Sequence, residues 1–599
     1  MRAASALLVL AGMASCSPAA APANASASHA GASDAATAAL HTLFDAEWDQ
    51  TMRDDPVYAS RLGDHRFDDR WPDESLAAHE RRAVHDREVL ARLRSMDPSS
   101  FSAEDRLSYE LLLRERADRV EGQPFHLDLL AVDQSGGVQD AEDIADALPF
   151  ETATDYANWN ARLHSVPAYV DQVIDLLREG VRQRIVHPRV VMERVPAQID
   201  RQLVSDPAKS PFFAPYDRVP AAVPAADRDR LAAEARSAIA GGVVPAYRRL
   251  REFFVREYLP ACFPTVGAWQ LPRGDEAYAY LVRSRTTTRM RPAEIHDLGL
   301  REVARIRGEM LSVMQATGFK GTLGDFFAWL RTDPQFFYAD PRALFEAYAA
   351  TAKRIDPRLV LEFRTLPRTP YGVEAIPAAI APDTTTAYYR EPAADGSRAG
   401  TFFVNLYKPE SRPRWEMMAL ALHESVPGHH LQIALADEQT GLPAFRRHAE
   451  WTAFSEGWGL YAESLGDAMG LYDDPYAKFG QLAYEMWRAI RLVVDTGMHA
   501  MHWDRARAIA YFLENDPKTE LDVTNEIDRY VVWPGQALAY KVGQLEILRL
   551  RGEARAALGE RFDVRDFHDV VLRDGAMPLD LLEERVHAWL DARRREPKN

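Results

Sequence analysis

The stretch LALHESVPGHHLQ, from Leu420 to Gln432, opens like the helical zinc signature His-Glu-x-x-His and then departs from it. In that signature two histidines four residues apart share one face of a helix. Here the fifth position is Pro427, which cannot bind a metal, and the next histidines are His429 and His430. In a straight helix, positions i and i+7 differ by roughly 20° in azimuth but lie about 10.5 Å apart along the axis, while i and i+6 differ by about 120°. Straight geometry therefore favours His430. Pro427, however, removes the backbone bond to the carbonyl of His423 and its ring clashes with that carbonyl, while Gly428 tolerates unusual dihedrals. A bend at Pro427-Gly428 brings His429 round instead, so the spacing alone leaves both histidines open.

A hydrolytic zinc site takes three protein ligands and keeps a position open for water. Downstream, in WTAFSEGWGLYAESLG, Glu456 sits in an amphipathic helix pattern 33 residues after His423, which leaves room for a loop and a second helix returning antiparallel. It is preferred to Glu450 and to Glu463, which is on nearly the same face seven residues later and reads as an ordinary polar position. Glu424, beside the first ligand, is the expected general base, taking a proton from water and passing it to the leaving amine. Tyr530 and Tyr540 in IDRYVVWPGQALAYKVG, and His499 in DTGMHAMHW, are the candidate donors to an oxyanion. Arg529 or Lys541 would hold a substrate carboxylate, which suits a carboxypeptidase or dipeptidase. Asp495 reads as a structural partner and Cys262 as a buried thiol. One Zn2+ ion is the expected cofactor.

The whole chain agrees with a folded enzyme. Its 599 residues, 47% hydrophobic and 27% charged, can bury a large core. A net charge of -17 leaves no basic excess to displace counterions, which excludes a nucleic-acid partner. At the start, MRAASALLVLAGMASCSPAAAP places Arg2 ahead of an apolar run, Ala6 to Met13, too short to span a bilayer and laid out as a secretory signal. Met13-Ala14-Ser15-Cys16 resembles a bacterial lipobox, so residues 1–16 are expected to direct export to the periplasm or cell envelope, with a lipid on Cys16 as the membrane anchor. Ordinary signal cleavage is the alternative. Residues 17–35 are Ala/Ser/Pro-rich and read as a flexible tether, followed by one mainly α-helical domain from 36 to 599.

Within that domain, Ser102 is a helix cap ahead of AEDRLSYELLL, and Pro292 opens a helix that Gly318 closes. Between Arg358 and Lys408, LVLEFRTLP, TTTAYYREP and GTFFVNLY are short, β-branched or aromatic, and separated by Pro, Gly and Asp. They predict a small sheet just before the metal-binding helix, with GTFFVNLY as an edge to which an extended peptide could add.

His423-Glu424-x-x-Pro427-Gly428-His429-His430, the later EGWGLYAE and the still later RYVVWPGQALAYKVG resemble the bacterial family catalogued as domain of unknown function 885. The likeness runs through most of the chain after the tether, including TTTRMRPAEIHDLG and RLVVDTGMHAMHW. It implies a mainly α gluzincin-like catalytic domain with a cleft, distantly similar to carboxypeptidase Taq, angiotensin-converting enzyme and thimet oligopeptidase. In those, the second histidine follows a glycine, as His429 follows Gly428, and the third ligand is a glutamate on the next helix, as Glu456 would be. The resemblance thus favours His423, His429 and Glu456 as ligands, with His430 the alternative to His429. The expected function is an exported zinc metallopeptidase acting on peptides. Hydrolysis of another amide or isopeptide bond is a second reading, and a non-catalytic binding lipoprotein a third, against which the intact Glu424 argues.

Overall fold

Caps and breakers place the helices. The computed structural model describes residues 25–596 apart from 379, 380, 384, 394, 395 and 397, so the signal segment, Cys16 and residues 17–24 of the tether lie outside the described residues. The rest of the tether is helical: α1 (Ala25–Asp54) begins inside it, as its alanine content allows. The Ser102 hydroxyl accepts the Asp105 N–H at 3.0 Å and opens α2 (Ala103–Gly122). After α3 (Gly274–Thr286), Pro292 opens α4 (Pro292–Ala316), which stops before Gly318 at φ 80°.

A three-stranded sheet follows, in the order β1 (Tyr371–Ala375), β3 (Gly400–Val404), β2 (Ala387–Arg390). β1 runs parallel to β3, with Tyr371 opposite Gly400, and β2 antiparallel to it, with Tyr389 opposite Phe402. This corrects two expectations. GTFFV is the central strand, buried along its whole length and paired on both sides, so it has no edge to offer a peptide; the free edges belong to β1 and β2. LVLE forms a single helical turn, Leu359–Glu362, because Pro357 opens a 3-10 turn directly before it. The remaining strand lies beyond the breakers Pro367 and Pro370.

From here the chain is helical: α5 (Met417–Glu424), α6 (His429–Asp437), α7 (Thr452–Ala468), α8 (Pro475–Ala500), α9 (Glu520–Val532) and α10 (Ala539–Leu558). α8 is the axis of the molecule. It is buried continuously from Phe479 to His499 except at Trp487. Ile490 and Val493 join a core containing Trp159, Tyr247 and Phe326, and Leu492 joins a second core containing Phe402, Leu420, Phe454 and Trp458. The β-branched residues of α8 cost at most about 0.7 kcal/mol each in helix propensity. Full burial of each returns roughly 1.5–3 kcal/mol, so packing decides the conformation. α4 packs along α8, and α7 along α10. Among the described residues no helix is long and apolar enough to cross a membrane.

Candidate metal centre

The unusual spacing is resolved by breaking the helix. α5 ends at Glu424, the Val426–Pro427 peptide is cis, and α6 starts at His429. Side chains and backbone hold the bend: Ser425 Oγ donates to the Ala421 carbonyl at 2.6 Å, Trp458 Nε1 donates to the Pro427 carbonyl at 2.8 Å, and the His430 N–H reaches the Ser425 carbonyl at 3.1 Å. Gly428 is required by contact, since a Cβ there would lie 1.8 Å from the His423 carbonyl oxygen. The bend sets the His423 and His429 rings perpendicular, 4.7 Å apart between centroids.

α7 packs against α5 and brings Glu456 to both rings. Glu456 Oε2 lies 3.4 Å from His423 Nε2 and 3.5 Å from His429 Nε2. One turn on, Gly459 lets the His423 ring sit against the helix, where a Cβ would be 2.7 Å from the ring. Glu463, fully buried, accepts a hydrogen bond from His423 Nδ1–H at 2.9 Å. That bond fixes the tautomer and points the Nε2 lone pair of His423 toward Glu456.

The donor set fits a zinc ion. One atom from each of His423, His429 and Glu456 falls within a mutual 4.8 Å. Tetrahedral bonds of about 2.0–2.1 Å would put ligand atoms about 3.3–3.4 Å apart, close to the two distances above. Electrostatics agree. Burial disfavours charge on Glu456, yet His423 and His429 hold its carboxyl well below the usual range. Burial likewise opposes a charged His423, but Glu456 and Glu463 outweigh it and push the imidazole up to about 9. Glu456 Oε2 is buried with no hydrogen-bond partner among the described residues. Such a concentration of negative charge and lone pairs is what a cation satisfies.

His430 lies in another environment. Its Nε2–H donates to the Thr369 carbonyl at 3.1 Å, its Nδ1 pairs with the Tyr389 hydroxyl at 2.9 Å, and burial pushes it down to about 4. It is a neutral bridge between α6, β2 and the chain before β1. Glu424 is next to the cluster, with no hydrogen-bond or ion-pair partner among the described residues; burial raises its carboxyl and the two histidines oppose that.

The other candidates separate. The Tyr540 ring stacks on the His423 ring at 6.5 Å between centroids, and the Arg491 guanidinium lies 4.3 Å from the centroid of the tyrosine ring, so this ring is beside the cluster. The remaining candidates are engaged elsewhere. His499 is engaged at both nitrogens by main chain, accepting the Ala268 N–H at 2.9 Å and donating to the Tyr530 carbonyl at 3.0 Å. The Tyr530 hydroxyl donates to Glu526 and accepts from Arg491 and Trp487, all within 2.9 Å, and the residue is 1% exposed. Lys541 is fully buried, its ammonium shared among Glu485, Gln544 and Glu302. None of the three is free to meet a substrate. Arg529 is partly exposed but donates to Glu526 and Gln536 at 2.9 Å, so its guanidinium is already committed as well. Asp495 is a structural partner of Tyr278 and Gly535, and Cys262 a buried thiol.

His429 and Glu456 form part of the wall of a cavity of about 1500 Å³, which β2 borders with Tyr388, Tyr389 and Arg390. Pockets for single small molecules run to roughly 300–1000 Å³, so this space admits a larger ligand. The molecule is thus a mainly helical protein with a cluster of two imidazoles and a carboxylate, of a kind that could hold a cation, beside a cavity.

Residues 56–586 match the family described as bacterial protein of unknown function, DUF885, and the chain belongs to that family. A candidate lipoprotein from Colwellia psychrerythraea is similar in structure, with a TM-score of 0.87 and 26% identity over 93% of this chain and 99% of that one. A candidate lipoprotein of unknown function from Shewanella oneidensis shares the fold at a TM-score of 0.62 and 15% identity, over 92% of this chain and 99% of that one. No curated protein matches the chain.

Proposed function

We propose that this chain is a zinc-dependent peptidase of gluzincin type, with His423, His429 and Glu456 as metal ligands and Glu424 as general base. The observation that carries the reading is the meeting of His423 Nε2, His429 Nε2 and Glu456 Oε2 next to Glu424, with His429 and Glu456 on the wall of a cavity large enough for a peptide. A zinc ion held there would act as a Lewis acid, polarising the scissile carbonyl and making water more acidic. The protein supplies the rest. Glu424, its proton affinity raised by burial, takes the proton from water and returns it to the leaving nitrogen. Tyr540, whose ring stacks beside that of His423, is the donor to the developing oxyanion in this reading. The outer edge of β2, which borders the cavity, is where an extended substrate backbone would add to the sheet.

Export with a lipid on Cys16 accords with the signal-like start of the chain and with the candidate lipoproteins it resembles in structure. The test of the central chemistry is Glu424→Gln. Expected is wild-type zinc content by elemental analysis, with peptide hydrolysis reduced by about 10²–10⁴-fold. Undiminished hydrolysis would remove Glu424 from the mechanism.

A further inference from the structure

α6 turns one stripe to the cavity: His429, Gln432, Ile433 and Asp437, spaced as a helix face. Gln432 lies one turn beyond His429 and takes no part in the metal cluster. It is 4% exposed, and its Oε1 is buried with no hydrogen-bond partner among the described residues. An acceptor buried in that state carries a desolvation cost that a ligand donor would relieve.

Asp437 repeats the pattern at the end of the stripe. Its Oδ1 is buried and lacks a hydrogen bond; the nearest basic atom is His448 Nδ1 at 3.3 Å. That imidazole is pushed down to about 4 by burial and Arg447, so it is neutral near pH 7 and brings no charge. Glu391, directly after β2, and Glu450, two residues before α7, line the same cavity. Burial and Glu391 push the Asp437 carboxyl up to about 7, and burial and Glu450 raise Glu391. Arg447 faces Asp437, and Arg61 and Arg398 face Glu391, yet these guanidiniums do not offset the burial. Acceptors from three separate segments therefore line one cavity with the metal cluster, and among the described residues Gln432 Oε1 and Asp437 Oδ1 have no hydrogen-bond donor.

We propose that this wall is a subsite for a primary ammonium group, the free α-amino end of a peptide, received by Gln432 Oε1 and the Asp437 and Glu391 carboxylates. This rests on the peptidase reading above and deepens it. Along the helix axis Gln432 is about 4.5 Å and Asp437 about 12 Å from His429, so the amine would sit within a few residues of the scissile bond. The substrates are accordingly short peptides cut from the amino end, and the residues once expected to grip a carboxylate, Lys541 and Arg529, are occupied elsewhere.

The test uses the zinc-loaded Glu424→Gln protein, in which turnover does not interfere, with alanyl-alanine amide and its N-acetyl form titrated by calorimetry. Acetylation is expected to weaken binding by about tenfold or more, the weight of a charge-assisted hydrogen bond. Adding Gln432→Ala or Asp437→Asn should shrink that preference while leaving zinc content and affinity for the acetylated peptide unchanged. Equal affinity for the two peptides, binding of neither, or a preference that survives Asp437→Asn would overturn the subsite. Failure of the wild-type protein to bind zinc or to hydrolyse any peptide would instead overturn the peptidase reading.

Discussion

Glu463 determines how His423 presents itself. By accepting the Nδ1–H at 2.9 Å it leaves Nε2 as the free lone pair at the cluster. Glu463→Gln should keep the fold but release zinc about 10–100-fold more readily in competition with a chelator. An unchanged release rate would make Glu463 merely a buried polar residue. The position was visible in the sequence, seven residues after Glu456 on the same helix face, but its task was not. Sequence shows which face a residue occupies, not which ring lies opposite. The same gap explains Tyr530, Lys541 and His499. Each sits in a motif of the right chemical character, and each has polar atoms taken by partners distant in sequence: Arg491 for Tyr530, Glu485 and Glu302 for Lys541, Ala268 for His499.

At the scale of elements, the break between α5 and α6 was foreshadowed by Pro427-Gly428, and its direction was not. The direction depends on Trp458 and Ser425, which clamp the bend from α7 and from α5. Helix starts at Ser102 and Pro292 were legible because capping is local. Strand order was not, because β3 finds its partners through loops that carry no pairing code. Asp495 shows how elements are joined. It accepts the Tyr278 hydroxyl from α3 at 2.6 Å and the Gly535 N–H after α9 at 3.1 Å, linking both to α8. Burial pushes its carboxyl from 3.8 to about 7. The folded chain then holds a proton that the unfolded chain releases over that range. The associated stability is present below the unfolded value and is lost as pH rises through about 7. Thermal melts of wild type and Asp495→Asn between about pH 4 and about pH 8 should therefore diverge, wild type losing Tm relative to the variant as pH rises. Parallel curves would show that Asp495 is ionised in the folded state.

Across the whole molecule, α8 joins two cores, and the second of them holds α5 and α7 against each other so that ligands 33 residues apart meet. The helical class was readable from periodicity and caps. A cleft was expected from the family resemblance, but its lining was not readable, because the wall draws on segments from Tyr58 to Gln536. The account stands on which side chains bind the metal, and zinc content after dialysis measures that directly. Wild type and His430→Ala should each retain one zinc, with His430→Ala lower in Tm because it removes the bridge from α6 to Thr369 and Tyr389. His423→Ala and His429→Ala should lose the zinc. A metal-free wild type, or a His430→Ala protein that loses zinc while His429→Ala keeps it, would contradict the account.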